Sequence, residues 1–185
     1  FRSAASGAAE VLFGLGLIGS QQNDTLVAMV YLRLALYLAP DHATAAITLG
    51  DSYERVKQYE RALDAYDLIP ETSPLYGLAE AQTGLVLEAM GKAEEATKHL
   101  EGIVARRPKD IDALSALGNV QRSRKLYKES AETFTRVIDL VPEPKRGDWT
   151  LFYFRGIAYE RSKQWPKAEA DFLHALKLAP EQPTS

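Results

Sequence analysis

A small residue recurs along the chain, and a large apolar residue follows each one four positions later, about one helical turn away. The five pairs are Ala28 with Leu32, Ala62 with Tyr66, Ala96 with Leu100, Ser130 with Phe134, and Ala168 with Phe172. Successive pairs lie 34 residues apart, except that the last follows after 38. A fixed period of this length indicates one helical hairpin that is repeated five times and stacked.

Glycines and prolines keep the same period. The glycines, each twelve residues before a small residue, are Gly16, Gly50, Gly84, Gly118 and Gly156, and the prolines are Pro40, Pro74, Pro108, Pro142 and Pro180. We expect each glycine and its small residue to lie on facing sides of two antiparallel helices, with the large residue filling the wedge between neighbouring hairpins. Proline is expected to end each second helix because it has no N–H to donate.

The period places two helices in each repeat. First helices are predicted near 8–21, 43–56, 76–90, 111–124 and 149–162, and second helices near 24–38, 59–68, 93–105, 127–140 and 166–178. Asp41, Asp110 and Asp148 are predicted to cap first helices through their side-chain oxygens. Pro70 is predicted to shorten the second helix of repeat two, and Pro166 to lie in the first turn of the last helix.

With the glycine at the eighth place, the repeats span 9–42, 43–76, 77–110, 111–148 and 149–182 and form a single array. A four-residue insertion near 143–147 lengthens the fourth repeat and is predicted to be an exposed loop. The chain begins at Phe1 without an initiator Met. We therefore expect it to be an excerpt of a longer protein.

Two repeats carry the fullest version of the pattern. They hold Leu49, Gly50, Tyr53, Ala62, Tyr66 and Pro74 in the second repeat, and Gly156, Tyr159, Ala168, Phe172 and Pro180 in the fifth. The pattern resembles the tetratricopeptide repeat, which combines Leu-Gly-x-x-Tyr, Ala-x-x-x-Phe and Pro. The chain departs from that family in having no Trp at the fourth place of any repeat. The resemblance implies an all-α, right-handed solenoid of helical hairpins.

The resemblance also implies where a partner binds, because first helices line the concave groove in this family. Residues at places 2, 5, 9, 12 and 13 of each repeat would face that groove. The helical period puts the residues at places 2, 5, 9 and 12 on one side of the helix, as a stripe. The predicted groove residues are Phe13, Leu17, Ile47, Asp51, Arg55, Leu85, Glu88, Asn119, Arg122, Tyr153 and Ile157. The family's clamp for a C-terminal carboxylate is missing, since its lysine and asparagine places hold Ile47 and Asp51.

The predicted function is a protein-interaction scaffold that binds an extended peptide or a partner helix in this groove. Asn119 is the foremost candidate contact, because an amide can pair with a peptide backbone as donor and acceptor. The alternative for Phe13, Leu17 and Leu85 is packing against neighbouring hairpins. For Asn119, the alternative is an ordinary solvated position.

Composition narrows the choice of chemistry. A net charge of −3 and acidic groove residues disfavour nucleic acid as a partner. There is no cysteine, and the three histidines, His42, His99 and His174, lack metal-site spacing. No catalytic motif, cofactor loop or membrane-spanning run is present. The sequence therefore predicts no enzyme, no cofactor and no metal.

The sequence is compatible with a location in either the cytoplasm or the periplasm. Its Ala/Leu-rich helices loosely resemble bacterial members of the family.

Two further functions stay open. The chain would serve equally as a regulatory or substrate-docking segment of a larger enzyme. Self-association through an uncapped C-terminal end is the other possibility, because Phe172, Leu176 and Leu178 have no following helix to cover them.

Overall fold

The structure, a computed structural model, describes residues 4–22 and 24–181. This part of the chain contains ten α-helices: α1 (Ala4–Gln21), α2 (Thr25–Leu38), α3 (Ala43–Arg55), α4 (Tyr59–Tyr66), α5 (Tyr76–Ala89), α6 (Ala93–Arg106), α7 (Ile111–Ser123), α8 (Tyr127–Asp139), α9 (Trp149–Arg161) and α10 (Trp165–Leu178). A short 3-10 helix, Arg146–Asp148, lies in the predicted loop before α9. No strand occurs among these residues, which confirms the all-α prediction.

The described residues divide between Met90 and Gly91 into two compact units, here called the N-terminal half and the C-terminal half. The N-terminal half holds α1 to α5, and each helix packs against the next along the chain. Its core includes Leu32, Leu49, Tyr66 and Val86. The C-terminal half holds α6 to α10, packed in the same sequential manner.

Helix ends follow the predicted ones to within four residues. Pro70 shortens its helix as predicted, since α4 ends at Tyr66, and Pro166 lies in the first turn of α10. Asp110 caps α7 by accepting a hydrogen bond from the Ala113 N–H at 3.1 Å.

Two of the predicted caps are wrong. His42, not Asp41, caps α3, because its Nδ1 accepts from the Ala45 N–H at 3.2 Å. Asp148 makes no side-chain cap on α9. Its carboxylate instead turns back to the Lys145 N–H at 2.7 Å and closes the short 3-10 helix.

In repeats two to five, the turn between the two helices contains a left-handed residue at the fifteenth place. Lys57, Lys125 and Lys163 have φ of 59°, 63° and 62°, and Gly91 has φ of 79°. A left-handed residue closes the end of a helix by satisfying its last carbonyls. Lysine adopts this conformation at a cost, which is partly offset by backbone hydrogen bonds such as the one from the Gln58 N–H to the Tyr53 carbonyl at 2.9 Å.

Gly16, Gly50, Gly118 and Gly156 lie against the large residue of their own repeat. The small residue also lies close to the glycine, as predicted, in two repeats: the Ala28 carbonyl is near Gly16, and the Ser130 hydroxyl donates to the Gly118 carbonyl at 2.8 Å. A Cβ on Gly50 would lie 2.2 Å from the Tyr66 ring, and one on Gly118 would lie 2.8 Å from the Phe134 ring. Gly16 and Gly156 meet Leu32 and Phe172 in the same way. Each large side chain therefore fills the space that the missing Cβ leaves.

Candidate functional site

In the N-terminal half, the predicted groove residues lie on α1, α3 and α5. Phe13, Leu17, Ile47, Asp51, Leu85 and Glu88 are half-buried, and Arg55 is exposed. Phe13 and Ile47 pack partly against the core, and the Phe13 ring lies 4.8 Å from the His42 ring. Both side chains therefore contribute to hairpin packing, whatever else they contact.

Three polar groups meet on the α3 side of this half. The Tyr66 hydroxyl, from α4, lies 2.8 Å from Asp51 Oδ1 and 2.5 Å from Glu54 Oε1. The Tyr66 ring is held against Gly50, so its hydroxyl projects toward the two carboxylates at the edge of the helix pair. These hydrogen bonds link Asp51 and Glu54, at the ninth and twelfth places of the predicted stripe on α3, to Tyr66 on the second helix α4.

One hydroxyl proton cannot satisfy two carboxylates at once. Burial raises the pKa of Glu54 above its ordinary value of 4.5; the Tyr66 hydrogen bond opposes that shift and the nearby Asp51 charge adds to it. Burial and the same two carboxylates raise the pKa of Tyr66 as well, which keeps its hydroxyl protonated. Asp51 and Glu54 therefore form an acidic spot with one shared donor.

Arg55 extends from α3 to the end of α1. Its guanidinium donates to the Ser20 carbonyl and to the Ser20 hydroxyl, both at 3.3 Å. These exposed contacts connect the first helices of repeats one and two. Both residues keep enough exposure to contact a ligand on this face.

In the C-terminal half, Asn119 and Arg122 lie one turn apart on α7. Arg122 Nη2 donates to Asn119 Oδ1 at a long 3.4 Å, and its guanidinium carbon lies 4.8 Å from the centre of the Phe154 ring on α9. The Nε atom is buried and has no hydrogen-bond partner within the described residues. Arg122 has no ion pair in that part of the chain either.

Aromatic rings surround Tyr153, the next predicted groove residue, which lies on α9. Tyr153 lies 5.5 Å from Trp149, 5.7 Å from Phe154 and 6.0 Å from Phe172, measured between ring centres. Tyr153 and Ile157 are both half-buried. The C-terminal half thus presents an aromatic surface next to one incompletely paired guanidinium.

Glu54, Tyr66 and Phe154 are contributors that were absent from the predicted groove residues. Tyr66 lies at a place that the repeat pattern assigns to packing, and Phe154 lies at the sixth place, to which the pattern assigns no role. The signal for Tyr66 was available, because it is the one hydroxyl-bearing residue among the large apolar residues at its place. Phe154 had no such signal, since its contact with Arg122 depends on the pairing of α7 with α9.

The described residues hold no cluster of three or more His, Asp or Glu side chains suited to a metal ion. Within the same residues, every helix is too short or too polar to pass through a bilayer.

Sequence models of the tetratricopeptide repeat match residues 149–182, 81–143 and 9–42. Together with the helical hairpins, these matches define the class: the chain belongs to the tetratricopeptide-repeat family. The helical fold and the family resemblance drawn from the sequence are both confirmed.

Among curated proteins, the chain is 24% identical over 123 residues to anaphase-promoting complex subunit 3 of Schizosaccharomyces pombe, covering 66% of this chain and 18% of that protein. It is 28% identical over 171 residues to the TPR repeat-containing protein YpiA of Bacillus subtilis, covering 88% of this chain and 38% of that protein. The chain thus spans well under half the length of these relatives.

Among solved structures, the chain is similar to YrrB, described as a TPR protein with an unusual peptide-binding site. The TM-score is 0.59 at 21% identity, covering 98% of this chain and 95% of YrrB. This likeness shows the fold. Tetratricopeptide-repeat proteins are in general scaffolds for protein interaction.

Proposed function

We propose that the first-helix face of the C-terminal half binds an extended peptide or a partner helix, with an acidic or carbonyl-bearing group of the partner on Arg122. The observation that carries this proposal is the guanidinium itself. It is half-buried over the Phe154 ring, its Nε is buried without a partner, and its one hydrogen bond is long. Within the described residues the Nη atoms make one long hydrogen bond, so they keep donors that an incoming oxygen can accept.

The surroundings of Arg122 favour a peptide as the source of that oxygen. Asn119 offers an amide that can pair with a backbone from both sides. Tyr153 and Ile157 add half-buried aromatic and aliphatic surface on the neighbouring helix. Apolar anchors combined with a few oriented polar groups are typical of peptide-binding grooves. The peptide-binding site named for YrrB supports the same kind of partner.

The N-terminal half, taken by itself, would prefer a ligand group of different chemistry. Its matching stripe carries the acidic spot formed by Asp51 and Glu54, so it favours a basic or hydrogen-bond-donating group. Charge complementarity of this kind contributes to specificity more than to affinity.

Panning a random peptide library against the 185-residue chain tests the proposal. Peptides recovered from it are then titrated against the parent and against Arg122→Gln, with Arg136→Gln as the matched control. Arg136 is an exposed arginine on the second helix α8 and is not one of the predicted groove residues. We expect Arg122→Gln to weaken binding roughly tenfold to a hundredfold, as for a lost hydrogen bond to a charged group. Arg136→Gln should bind as the parent does.

Circular dichroism and melting of both variants separate a lost contact from a lost fold. Recovered peptides that bind Arg122→Gln as well as the parent would contradict the proposal. So would peptides that lose affinity equally for the two arginine variants, because that result would indicate a general charge effect.

A further inference from the structure

The second helices of repeats one and two, α2 and α4, border a groove of about 370 Å³ in the N-terminal half. We call it the α2–α4 groove, and its lining includes Arg33, Leu49, Tyr53, Arg61, Asp64 and Leu68. Leu49 and Tyr53 of α3 are buried and form its floor, while the other four side chains are exposed at its sides. None of the six is a predicted groove residue of the first helices, so this is a separate surface.

Tyr53 brings a polar group to the floor of the α2–α4 groove. The residue is only 7% exposed, and its hydroxyl makes no hydrogen bond within the described residues. A tyrosine that is buried to this extent usually has a hydrogen-bond partner for its hydroxyl. The floor of the groove therefore offers a donor and an acceptor to a group that enters it.

Two arginines stand at the sides of the groove without a counter-charge. Neither Arg33 nor Arg61 forms an ion pair within the described residues. Arg61 donates to Gln58 Oε1 at 2.9 Å, and its guanidinium carbon lies 5.9 Å from the centre of the Tyr53 ring. Asp64 is the acidic residue of the lining, so two positive charges and one negative charge leave an excess of one positive charge. The groove therefore attracts an anionic group.

Beside the groove, α2 presents apolar side chains to solvent. Leu26 is 73% exposed, Val30 is 57% and Tyr37 is 82%. With Arg33 they follow one another at intervals of four, three and four residues, which puts all four on one side of α2. Because Arg33 also lines the groove, this apolar side of α2 adjoins it.

The corresponding places on α8 show that this exposure does not depend on where the chain begins. Lys128 and Glu132 stand there at the places of Leu26 and Val30, and both are exposed and line a groove between α8 and α10. Repeat four packs against helices of both repeat three and repeat five, yet these places still face solvent. Apolar residues at such places, next to a groove, are typical of an interaction site.

We propose that the α2–α4 groove and the apolar side of α2 bind an amphipathic, acidic peptide segment of a partner protein. Its apolar side chains lie on Leu26, Val30 and Tyr37, and a carboxylate pairs with the arginines of the groove. Charge complementarity selects the carboxylate, because guanidinium groups without a counter-charge bind carboxylates in matched geometry. The exposed apolar side of α2 selects the apolar anchors, and a segment that combines both characters is an acidic-hydrophobic sequence.

A lipid surface also combines apolar and anionic groups, but it fits the groove less well. The floor is recessed, since Leu49 and Tyr53 are 5% and 7% exposed while the arginines above them are exposed. A peptide side chain can enter a groove of this size and reach the Tyr53 hydroxyl. The flat face of a bilayer contacts only the sides, so the recessed polar group favours a peptide.

Selection from a library of 14-residue peptides, the length of α2, against the 185-residue chain tests the proposal. Recovered peptides are labelled and titrated by fluorescence anisotropy against the parent, Arg33→Glu and Tyr37→Ser. We expect a group of acidic amphipathic peptides whose affinity falls roughly tenfold to a hundredfold in Arg33→Glu, because repulsion replaces an ion pair. Their affinity should fall roughly tenfold in Tyr37→Ser, which removes an aromatic anchor.

Arg136→Glu is the matched control, because Arg136 is an exposed arginine that lines the corresponding groove between α8 and α10. It should leave the affinity of these peptides unchanged. Asp64→Asn should strengthen their binding by about twofold to fivefold, since it removes the acidic residue of the lining. Arg33, Tyr37, Asp64 and Arg136 are all exposed, so each variant should melt as the parent does. Arg33→Gln should give a smaller loss than Arg33→Glu and covers the case that the charge reversal disturbs folding.

The outcomes separate this surface from the first-helix face of the C-terminal half. Peptides that depend on Arg33 and Tyr37 and bind Arg122→Gln as they bind the parent support the proposal, whatever other peptides show. A selection without any peptide that depends on Arg33 overturns it. An equal loss in Arg33→Glu and Arg136→Glu also overturns it, because that result would indicate a general charge effect.

Two further measurements address other occupants of the same surface. Binding of phosphatidylglycerol vesicles that is lost in Arg33→Glu, without any Arg33-dependent peptide, would overturn the proposal in favour of a membrane surface. Self-association of the chain in sedimentation velocity that is lost in Tyr37→Ser would overturn it in favour of a second copy.

Discussion

The two halves use one repeat pattern but join their helices with different polar contacts. In the N-terminal half, one Tyr66 hydroxyl is shared by Asp51 and Glu54. In the C-terminal half, Arg155 of α9 forms two hydrogen bonds of 2.7 Å with Asp171 of α10 and a third of 3.2 Å with Thr135 of α8. The first arrangement has more acceptors than protons, and the second pairs opposite charges in matched geometry.

Their responses to protonation differ for that reason. Burial lowers the pKa of Arg155, but the hydrogen bonds and charge of Asp171 outweigh it and raise that pKa above its ordinary value, so the guanidinium keeps its charge. The raised pKa of Glu54 means that the N-terminal contact changes state with pH. The repeat pattern therefore determines where the helices lie. The polar residues between the helices determine how much their contact contributes to stability and how that contribution depends on pH.

The largest expected effect comes from breaking the buried ion pair. Asp171→Ala would leave Arg155 half-buried without its counter-charge, and we expect a loss of about 3–5 kcal/mol in the free energy of unfolding. Urea denaturation followed by circular dichroism measures it. Glu181→Ala is the control, because it removes the exposed Arg146–Glu181 bridge of the same half and should cost under about 1 kcal/mol. Equal losses would show that Arg155 and Asp171 act as a surface pair.

Substituting the repeated glycines that lie against an aromatic ring should have an intermediate effect on the free energy of unfolding, and it compares the two halves directly. Gly50→Ala and Gly118→Ala would each press a methyl group into an aromatic ring, and overpacking of this kind costs about 1–3 kcal/mol. Gly50 should be the costlier, because its Cβ would approach the Tyr66 ring to 2.2 Å and that of Gly118 the Phe134 ring to 2.8 Å. The control is Gly102→Ala on α6, where nothing lies within 4 Å. It should stabilise the chain by about 0.5–1 kcal/mol through helix propensity. The opposite order for Gly50 and Gly118 would contradict the packing described.

The smallest effect concerns the shared proton of the N-terminal half. Since the pKa of Glu54 is raised in the folded chain, its protonated carboxyl contributes to the free energy of unfolding. That contribution is fully present below the ordinary pKa of 4.5 and is lost as pH rises through the pKa of the folded chain. Glu54→Gln cannot lose that proton, so it should melt at a higher temperature than the parent at neutral pH. The advantage should shrink toward zero below pH 4.5. Glu60→Gln, at an exposed place on α4, should show no such trend. A constant difference between Glu54→Gln and the parent across pH would rule out the shared-proton account.

Much of the helical framework was predictable, because it depends on short-range regularities. The 34-residue spacing of glycine, small residue and proline gave the repeat, and Pro70 and Pro166 gave two helix ends. The left-handed fifteenth place was missed, since repeats two, four and five fill it with lysine, and among repeats two to five Gly91 alone is a residue typical of that conformation. The cap at His42 was missed for a similar reason, because Asp41 beside it has the stronger intrinsic preference for capping.

The candidate site was less predictable. Periodicity placed Asn119, Arg122 and Tyr153 on first helices, and the structure shows them half-buried there. Their assignment to a binding groove stays a prediction. Which rings and carboxylates come near them depends on residues in other helices, as Phe154 over Arg122 shows.

What the sequence by itself determined is the repeat: its length, its two helices, its recurring glycines and its membership of the tetratricopeptide-repeat family. These follow from local helix geometry and from the period at which like residues recur. Only the tertiary structure decided which side chains are left to solvent and which are paired. The apolar residues of α2 look the same in the sequence whether they face a core or water, and the packing of α1 and α3 on its other sides is what leaves Leu26, Val30 and Tyr37 exposed.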